Sequence, residues 1–349
     1  MRLPIKISLF PFVAVALASC GYCSDSPTDP PPSPEPDRIL PLTELTTDYF
    51  GLPGGLYPGE TNVPPLDHTA AGTAALDRVE PLDAEGRPDP DGRIVMISVG
   101  MSNTTQEFCG QGGGPPCDPW TFMGLAAADP AVDKETLGIV NGARGGQSAE
   151  TWDSPMDANY DRVRDVDLAR AGFTESQIQI AWVKQANPRP TLSLPAAEAD
   201  AYRLEEDLGA IVRAMKMRWP NLRIVFFSSR TYGGYATTPL NPEPFAYESA
   251  FSVRGVIEAQ IEQARTGAID LQAGDVGFAG GAPWLAWGPY LWADGTNPRD
   301  DGLVWEREDF VGDGTHPSES GERKVGALLL AFFKTSPYAQ CWFLAGRSC

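Results

Sequence analysis

Four short apolar runs, separated by longer segments, constrain the fold of this chain more than any other feature. The runs cover residues 93–99, 137–140, 177–183 and 222–228. Continuous apolar runs of this length are typical of strands in a parallel sheet that is buried on both faces. Parallel strands need long crossover connections, which are usually helices. The pattern therefore predicts an α/β domain in which helices cover a parallel sheet.

Three later segments have the apolar spacing of a helix. In residues 197–219 the acids come early and the cations Lys216 and Arg218 come late, as the helix dipole favours. Residues 248–265 and 322–333 are similar in pattern. We expect all three segments to be helices that cover the sheet.

A serine directly follows the first predicted strand. It is Ser102, within residues 100–103 (GMSN). Ligands of a parallel sheet bind outside the carboxyl ends of its strands, so the Ser102 hydroxyl is a candidate nucleophile. Serine is also a preferred residue at the start of a helix, and its position alone does not separate the two interpretations.

The chain contains only two histidines, His68 and His316. A serine hydroxyl is a weak nucleophile near neutral pH and needs a positioned base, for which imidazole is the usual group. His68 precedes the first strand and has no acid-base motif beside it, so we interpret it as a surface or packing residue. His316 lies immediately before the last predicted helix and is the candidate base.

An aspartate precedes the candidate base by three residues. Asp313 and His316 belong to residues 312–317 (GDGTHP), which one tight loop can present to a single pocket. The carboxylate would fix the tautomer of the imidazole and stabilise its charged form. The alternative interpretation is an Asp-Gly turn followed by a solvated histidine.

These blocks resemble the SGNH (GDSL-type) hydrolase superfamily. Its members carry a nucleophilic serine after the first strand, a glycine in a second block, an asparagine in a third, and an Asp-x-x-His pair near the C-terminus. GMSN is similar to the GQSN of sialate O-acetylesterase-like and acetyl xylan esterase-like carbohydrate esterases, and residues 141–152 resemble their Gly-Gly…Trp stretch. The resemblance spans roughly residues 93–335. It implies a three-layer α/β/α, flavodoxin-like fold with a central parallel sheet of about five strands, and Gly146 as the oxyanion glycine.

The third block departs from the family pattern. After the third strand the chain reads VKQAN, which is neither GxND nor the WxQGE of the carbohydrate esterases. Its spacing matches Gly-x-Asn, so Asn187 is the predicted side-chain donor to the oxyanion. Lys184 or Gln185 is the competing assignment, and a polar exit from the strand is a further one. Arg230 and Tyr232, which follow the fourth strand, are predicted to bind substrate or else to pack.

The resemblance implies a serine esterase that removes a short acyl group, preferably acetyl, from a carbohydrate through an acyl-enzyme. Ser102 would attack, His316 would carry the proton and Asp313 would orient His316. The expected substrate is a small ester or an acetylated glycan, and neither a cofactor nor a metal is expected. Two alternatives are an O-acetyltransferase on the same fold and a non-catalytic glycan-binding lipoprotein.

The N-terminal residues predict export. Residues 1–19 combine a basic start with an apolar run that is shorter than the ~20 residues of a membrane span, as in a signal peptide. The sequence around Cys20 resembles a bacterial lipobox, which predicts lipidation of Cys20, with ordinary signal cleavage as the alternative. Residues 20–38 are then anchor and proline-rich linker, and residues 39–349 are the hydrolase domain, including an irregular arm before the first strand. The expected location is the bacterial cell envelope, either lipid-anchored or secreted.

Cysteines and charge complete the predictions. If Cys20 is lipidated, Cys109 and Cys117, and likewise Cys341 and Cys349, could each close a short loop, leaving Cys23 over. The net charge of -19 argues against a nucleic-acid partner and fits a neutral or cationic substrate better.

Overall fold

A computed structural model describes residues 39–349 of the protein. The predicted signal peptide (1–19), the lipidation site Cys20, the linker (20–38) and Cys23 lie outside the described residues.

The sheet has five parallel strands in the order β2-β1-β3-β4-β5. Their bounds are β1 Ile94–Gly100, β2 Leu137–Asn141, β3 Ile178–Lys184, β4 Ile224–Phe227 and β5 Trp284–Trp287. The first four coincide with the predicted runs. From β1 the chain passes to β2 on one side and later to β3 on the other, so the topological switch point lies between β1 and β3. Ligands of such sheets bind in the crevice at this point.

Helices cover both faces of the sheet. They are α1 Leu66–Leu76, α2 Ser102–Cys109, α3 Phe122–Ala128, α4 Ala158–Arg162, α5 Ala169–Ala171, α6 Asp200–Arg218, α7 Phe245–Thr266, α8 Glu319–Thr335 and α9 Gln340–Phe343, with π-helical residues Val163–Leu168 joining α4 to α5. The three predicted helices correspond to α6, α7 and α8. The prediction that the whole arm before β1 is irregular is wrong, because it contains α1.

The two faces of the sheet bury separate hydrophobic clusters. One cluster packs β1 side chains such as Val95 and Ile97 with α6 and α7, and the other packs Ile94 and Met96 with α2, α3 and α8. Alternate side chains of a strand point to opposite faces, which explains why β1 is buried along its whole length. The predicted three-layer α/β/α fold is confirmed.

The N-terminal arm packs along the edge strand β5. His68 is 3% exposed, and its Nε2 lies 2.8 Å from the carbonyl oxygen of Leu285. The backbone N–H of Leu285 donates to Gln260 of α7, and that of Trp287 donates to the hydroxyl of Tyr57. Side chains therefore satisfy backbone groups of β5 that no neighbouring strand reaches. His68 is a packing residue, as one of the two sequence interpretations held.

Two disulfides join Cys109 to Cys117 and Cys341 to Cys349. Both predicted pairings are confirmed. Cys109 is the last residue of α2, so the first bridge ties the helix that begins at Ser102 to the loop after it. Within residues 39–349, no helix combines the length and apolar character needed to cross a bilayer.

Candidate active site

Strand β1 delivers Ser102 to the carboxyl edge of the sheet, where Ser102 is the first residue of α2. The turn between strand and helix requires Gly100, because a Cβ there would overlap the Thr104 hydroxyl and the Lys184 carbonyl oxygen. The N-cap residue of α2 is Met101, so Ser102 is not the helix cap that the alternative interpretation required. Its Oγ instead lies 2.8 Å from Nε2 of His316.

The loop before α8 holds Asp313 and His316 against each other. Oδ1 of Asp313 accepts hydrogen bonds from the backbone N–H groups of Thr315 and His316, at 2.9 and 3.0 Å. Oδ2 of Asp313 lies 2.6 Å from Nδ1 of His316. Burial alone would raise the pKa of Asp313, but these hydrogen bonds outweigh it and hold the pKa below its usual value. Because an ionised carboxylate only accepts, Nδ1 carries the proton and Nε2 is left to accept from Ser102.

Two neighbouring residues fix this loop. Gly314 adopts φ +69°, and a Cβ there would overlap the carbonyl oxygen of Tyr235. Asn103, the residue after Ser102, is 2% exposed and donates from Nδ2 to the carbonyl oxygen of Thr315 at 2.8 Å. Asn103 thus joins the helix that carries the serine to the loop that carries the histidine. This role of Asn103 was not predicted, although its place beside the serine in GMSN was the available signal.

Ser102 and His316 open into a cavity of about 280 Å³. Its lining consists of Met101, Ser102, Asn103, Gly146, Ser148, Pro188, Arg230, Leu240, Asn241, Thr315 and His316. Gly146 has φ +78° and open space where a side chain would stand. Among the described residues, none accepts a hydrogen bond from the backbone N–H of Ser102 or of Gly146. Two unused backbone donors therefore lie at the same cavity as the serine.

The second block is tied to the third. The backbone N–H of Ala149 donates to the carbonyl oxygen of Ala186 at 3.2 Å, and Nε2 of Gln185 lies 3.4 Å from the carbonyl oxygen of Gln147. The side chain of Gln147 also accepts from Asn159 of α4. The loop that carries Gly146 is therefore held by the end of β3 and by α4.

Lys184 does not reach the cavity. It is the last residue of β3, it pairs with Gly100 in the sheet, and its side chain is fully buried. Its Nζ lies 2.5 Å from each carboxylate oxygen of Glu107 on α2. Burial lowers the pKa of Lys184 to about 8, which the ion pair opposes. The suggestion that Lys184 serves the oxyanion is wrong for this arrangement, because the strand directs the side chain towards α2.

Asn187 and Gln185 are not cavity residues either. Nδ2 of Asn187 donates to Asp207 of α6 at 2.7 Å, which takes the amide away from Ser102. Gln185 is 3% exposed and braces the second block as described above. The prediction that Asn187 donates to the oxyanion does not hold in this structure, since a carboxylate on a helix outside the block binds its amide.

The two residues predicted to bind substrate separate in the structure. Arg230 is 3% exposed and lines the cavity. Tyr232 packs against Tyr235 and Trp292, with ring centroids 5.1 and 6.2 Å away, and burial raises its pKa to about 12. Tyr232 is thus a packing residue, and only Arg230 is brought to Ser102.

Several lining residues had no signal in the sequence. Pro188, Leu240 and Asn241 come from the loops after β3 and β4. Asn241 has φ +58°, and its Nδ2 donates to the carbonyl oxygen of Asn187 at 2.8 Å. The third block thus serves the cavity indirectly, because the carbonyl oxygen of Asn187 holds Asn241, while Pro188, which follows the block, lines the cavity itself.

No family model matches the chain, and no curated protein matches its sequence. Some solved structures are similar to it at low identity. An extracellular lipase from Streptomyces rimosus is 15% identical with a TM-score of 0.33, and the match covers 68% of this chain and 97% of the lipase. A GDSL-like lipase from Parabacteroides merdae is 12% identical with a TM-score of 0.35, covering 68% of this chain and 94% of that one. A carbohydrate esterase family 2 enzyme from Corynascus thermopiles (Myceliophthora fergusii) is 12% identical with a TM-score of 0.33, covering 68% and 64%.

The fold and the cavity show where the candidate residues meet. Ser102 after β1, Gly146 after β2 and the Asp313–His316 loop before α8 converge at the switch point of a five-stranded parallel sheet. This is the fold, and the order of residues along the chain, that the resemblance to the SGNH superfamily implies. What is left to assign is the chemistry of the site.

Proposed function

We propose that the protein is a serine esterase of the SGNH type. The observation that carries this proposal is the continuous hydrogen-bonded series from Asp313 through His316 to Ser102, with contacts of 2.6 and 2.8 Å. This series supplies the base that a serine hydroxyl needs, and an ionised acid that keeps the base in the correct tautomer. The serine opens into a cavity that can hold an ester.

In the first half of the reaction, Oγ of Ser102 bonds to the carbonyl carbon of the ester while Nε2 of His316 takes the hydroxyl proton. The backbone N–H groups of Ser102 and Gly146 face the oxygen that becomes negative. Loss of one such donor typically costs about 3 kcal/mol of transition-state stabilisation. The bond from the carbonyl carbon to the alcohol oxygen then breaks, and the alcohol leaves with the proton of His316.

In the second half, water attacks the acyl group on Ser102. His316 takes a proton from the water and returns it to Oγ of Ser102 as the acyl bond breaks, which releases the carboxylic acid. Asp313 orients His316 in both halves and stabilises its charged form. No atom other than those of ester, water and these residues is needed.

A short acyl group on a carbohydrate is the proposed substrate. The cavity of about 280 Å³ is small and its wall is mixed, with Pro188 and Leu240 beside Arg230 and Asn241. A long acyl chain would need a more extended apolar channel. The carbohydrate part of the proposal is supported by the similarity of GMSN and of residues 141–152 to carbohydrate esterases.

The test is hydrolysis of 4-nitrophenyl acetate, butyrate and octanoate by the purified protein and by Ser102→Ala. We expect the acetate to be turned over fastest and Ser102→Ala to lose at least about 10⁴-fold in kcat. Ser193→Ala, which changes a serine outside the cavity, is the matched control and should retain activity.

No turnover by folded protein on any of the three esters would contradict the proposal. Acyl transfer to a sugar in excess over hydrolysis would then support an O-acetyltransferase. Glycan binding that survives Ser102→Ala would support a non-catalytic binding protein.

We further propose that the protein is exported and anchored through a lipid on Cys20. This lipid is the only attachment to the membrane that we propose. The two disulfides favour an oxidising compartment. In a bacterial host, the full chain should partition with membranes and Cys20→Ser should not. Equal partitioning of the two would show that the lipobox interpretation is wrong.

A further inference from the structure

We propose that Arg230 makes the cavity selective for an ester that carries a carboxylate close to the bond that is cleaved. The inference deepens the esterase function proposed above and rests on it for the position of that bond. Arg230 follows β4, and its side chain lines the same cavity as Ser102 and His316.

The guanidinium of Arg230 is buried without a protein partner. The residue is 3% exposed, and its Nε and Nη1 are buried with no acceptor among residues 39–349. Arginine stays protonated in proteins, so it cannot lose its charge to relieve this. A buried charge is normally paired, and an unpaired one costs stability. Such a group at a cavity wall fits a ligand that brings the missing acceptor.

The carboxylates whose field reaches Arg230 are already engaged. They are Glu107, Glu243 and Asp313. Both oxygens of Glu107 contact Nζ of Lys184, and Asp313 binds His316 and the backbone of its own loop.

Glu243 is engaged in the same way. Its carboxylate accepts from the backbone N–H groups of Gly233 and Tyr247 and from the indole of Trp292, at 2.8 to 2.9 Å. Within the described residues, no carboxylate is therefore left to form an ion pair with Arg230.

A carboxylate is the ligand that best matches this group. The planar guanidinium presents parallel N–H donors that fit two carboxylate oxygens, and such charge-assisted bonds are stronger than neutral ones. A neutral ester would leave Arg230 unpaired, and sites with unused buried polar groups discriminate strongly against analogues that lack the matching group. The net charge of -19 belongs to the whole chain, whereas the residues that line the cavity include Arg230 and no aspartate or glutamate.

The carboxylate can belong to either part of the ester. On the acyl side it would be the free acid of a dicarboxylic hemiester, and on the alcohol side it would be the acid of an acetylated uronic acid. Two matched substrate pairs distinguish these sources. One pair is 4-nitrophenyl hemisuccinate and 4-nitrophenyl pentanoate, and the other is acetylated glucuronic acid and acetylated glucose.

The experiment measures kcat/KM for both pairs with the unmutated protein, Arg230→Met and Arg230→Lys. In one pair we expect kcat/KM to be at least about 10-fold higher for the charged member than for the neutral one. Arg230→Met should lower kcat/KM on that charged substrate by about 10- to 100-fold. The neutral member should change less than about threefold. Arg230→Lys should be intermediate, because it keeps the charge and loses the planar donors. Arg203→Met, which changes an exposed arginine of α6, should leave kcat/KM unchanged on both the charged and the neutral substrates.

Two results would overturn the proposal. One is the absence of any preference for a charged member in either pair. The other is an equal loss on charged and neutral esters in Arg230→Met, which would make Arg230 a donor to the oxyanion of every ester.

Ligand binding to Ser102→Ala separates this proposal from the esterase function. Succinate or glucuronate should raise the Tm of Ser102→Ala, and the additional change Arg230→Met should remove this effect. If the effect is seen but the unmutated protein hydrolyses nothing, the esterase function fails and carboxylate recognition stands. If neutral esters are hydrolysed but neither carboxylate binds, carboxylate recognition fails alone.

Because Arg230→Met removes an unpaired buried charge, the Tm of this variant without ligand should not fall. A fall would contradict the unpaired state of Arg230.

Discussion

At the scale of single residues, the length of a loop decides whether a side chain finds its partner within the loop or in a distant element. Asp313 and His316 are three residues apart in one tight loop, so their proximity follows from the sequence. Asn187 lies in a longer loop, and its amide is taken by Asp207, twenty residues further along the chain. No pattern within the third block contains that information. The direction of a side chain is predictable where the loop is short and becomes a tertiary property where it is not.

The placement of Asn187 gives the first residue-scale prediction. Asn187→Ala should leave kcat/KM within about threefold, because the amide does not face Ser102. It should lower the free energy of unfolding by about 1 kcal/mol, since the half-buried carboxylate of Asp207 loses a donor. Burial already raises the pKa of Asp207 to about 6, and the hydrogen bond from Asn187 opposes that rise.

Asn103→Ala is the matched comparison for Asn187→Ala. It removes the bond to Thr315 that holds the histidine loop, so kcat should fall more than it does in Asn187→Ala. Urea unfolding and 4-nitrophenyl acetate kinetics on both variants provide the check. A larger loss of kcat in Asn187→Ala than in Asn103→Ala would restore Asn187 as the donor.

At the scale of elements, strong apolar patterns allowed strands and helices to be located from the sequence, and weak patterns did not. Strands β1 to β4 and helices α6 to α8 have long or continuous apolar patterns, and the sequence locates them. Strand β5 (WLAW) lies in a stretch interrupted by Gly and Pro, and α1 is rich in Ala and Thr with few large apolar side chains. The direction of Lys184, the last residue of β3, was predicted wrongly as facing the oxyanion, because a strand buried on both faces has no polar face from which side-chain directions can be read.

The packing of α6 against α7 carries a pH-dependent prediction. Glu205 of α6 lies so close to α7 that a Cβ at Gly255 would overlap its carboxyl group. Burial, with the nearby charges of Asp270 and Glu258, raises the pKa of Glu205 to about 8 from 4.5. Between these two values the folded state binds a proton that the unfolded state has lost. The free energy of unfolding therefore falls as pH rises through this range.

Glu205→Gln should remove this dependence. The variant should gain stability relative to the unmutated protein as pH rises from 5 to 9, and the gain should be smallest at pH 5. Urea unfolding at pH 5, 7 and 9 measures it, with Glu206→Gln, an exposed neighbour on the same helix, as control. A constant difference across the three pH values would show that Glu205 is ionised throughout.

At the scale of the whole molecule, the N-terminal arm belongs to the folded domain. Leu42 and Tyr57 are buried in the larger hydrophobic cluster, and the Trp287 indole donates to the carbonyl oxygen of Leu56. The indole ring of Trp284 packs against Gly72 of α1, where a Cβ would lie 2.6 Å from the ring. No role could be assigned to residues 39–92 from sequence because the contacts that dock them on the sheet are with residues far along the chain, such as Trp284 and Trp287.

These contacts predict the effect of truncation. A chain that begins at Ile39 should fold with the unfolding transition of the intact domain. A chain that begins at Arg93 retains Ser102, Asp313 and His316 but exposes apolar surface on both sides of β5, so it should be insoluble or lack a cooperative transition. Thermal unfolding followed by circular dichroism compares them. Cooperative unfolding of the shorter chain at an unchanged Tm would show that the arm contributes nothing to the fold.

The contacts that Tyr57, His68 and Gln260 make with β5 also bear on whether copies of the protein aggregate. An open strand edge is a template on which another chain can add a strand, and this is a common route to aggregation. Here the N–H and C=O of Leu285 and the N–H of Trp287 are already occupied. A second molecule therefore finds few free backbone groups along this margin. The three contacts that complete the fold therefore also oppose the addition of a strand from another molecule at high concentration.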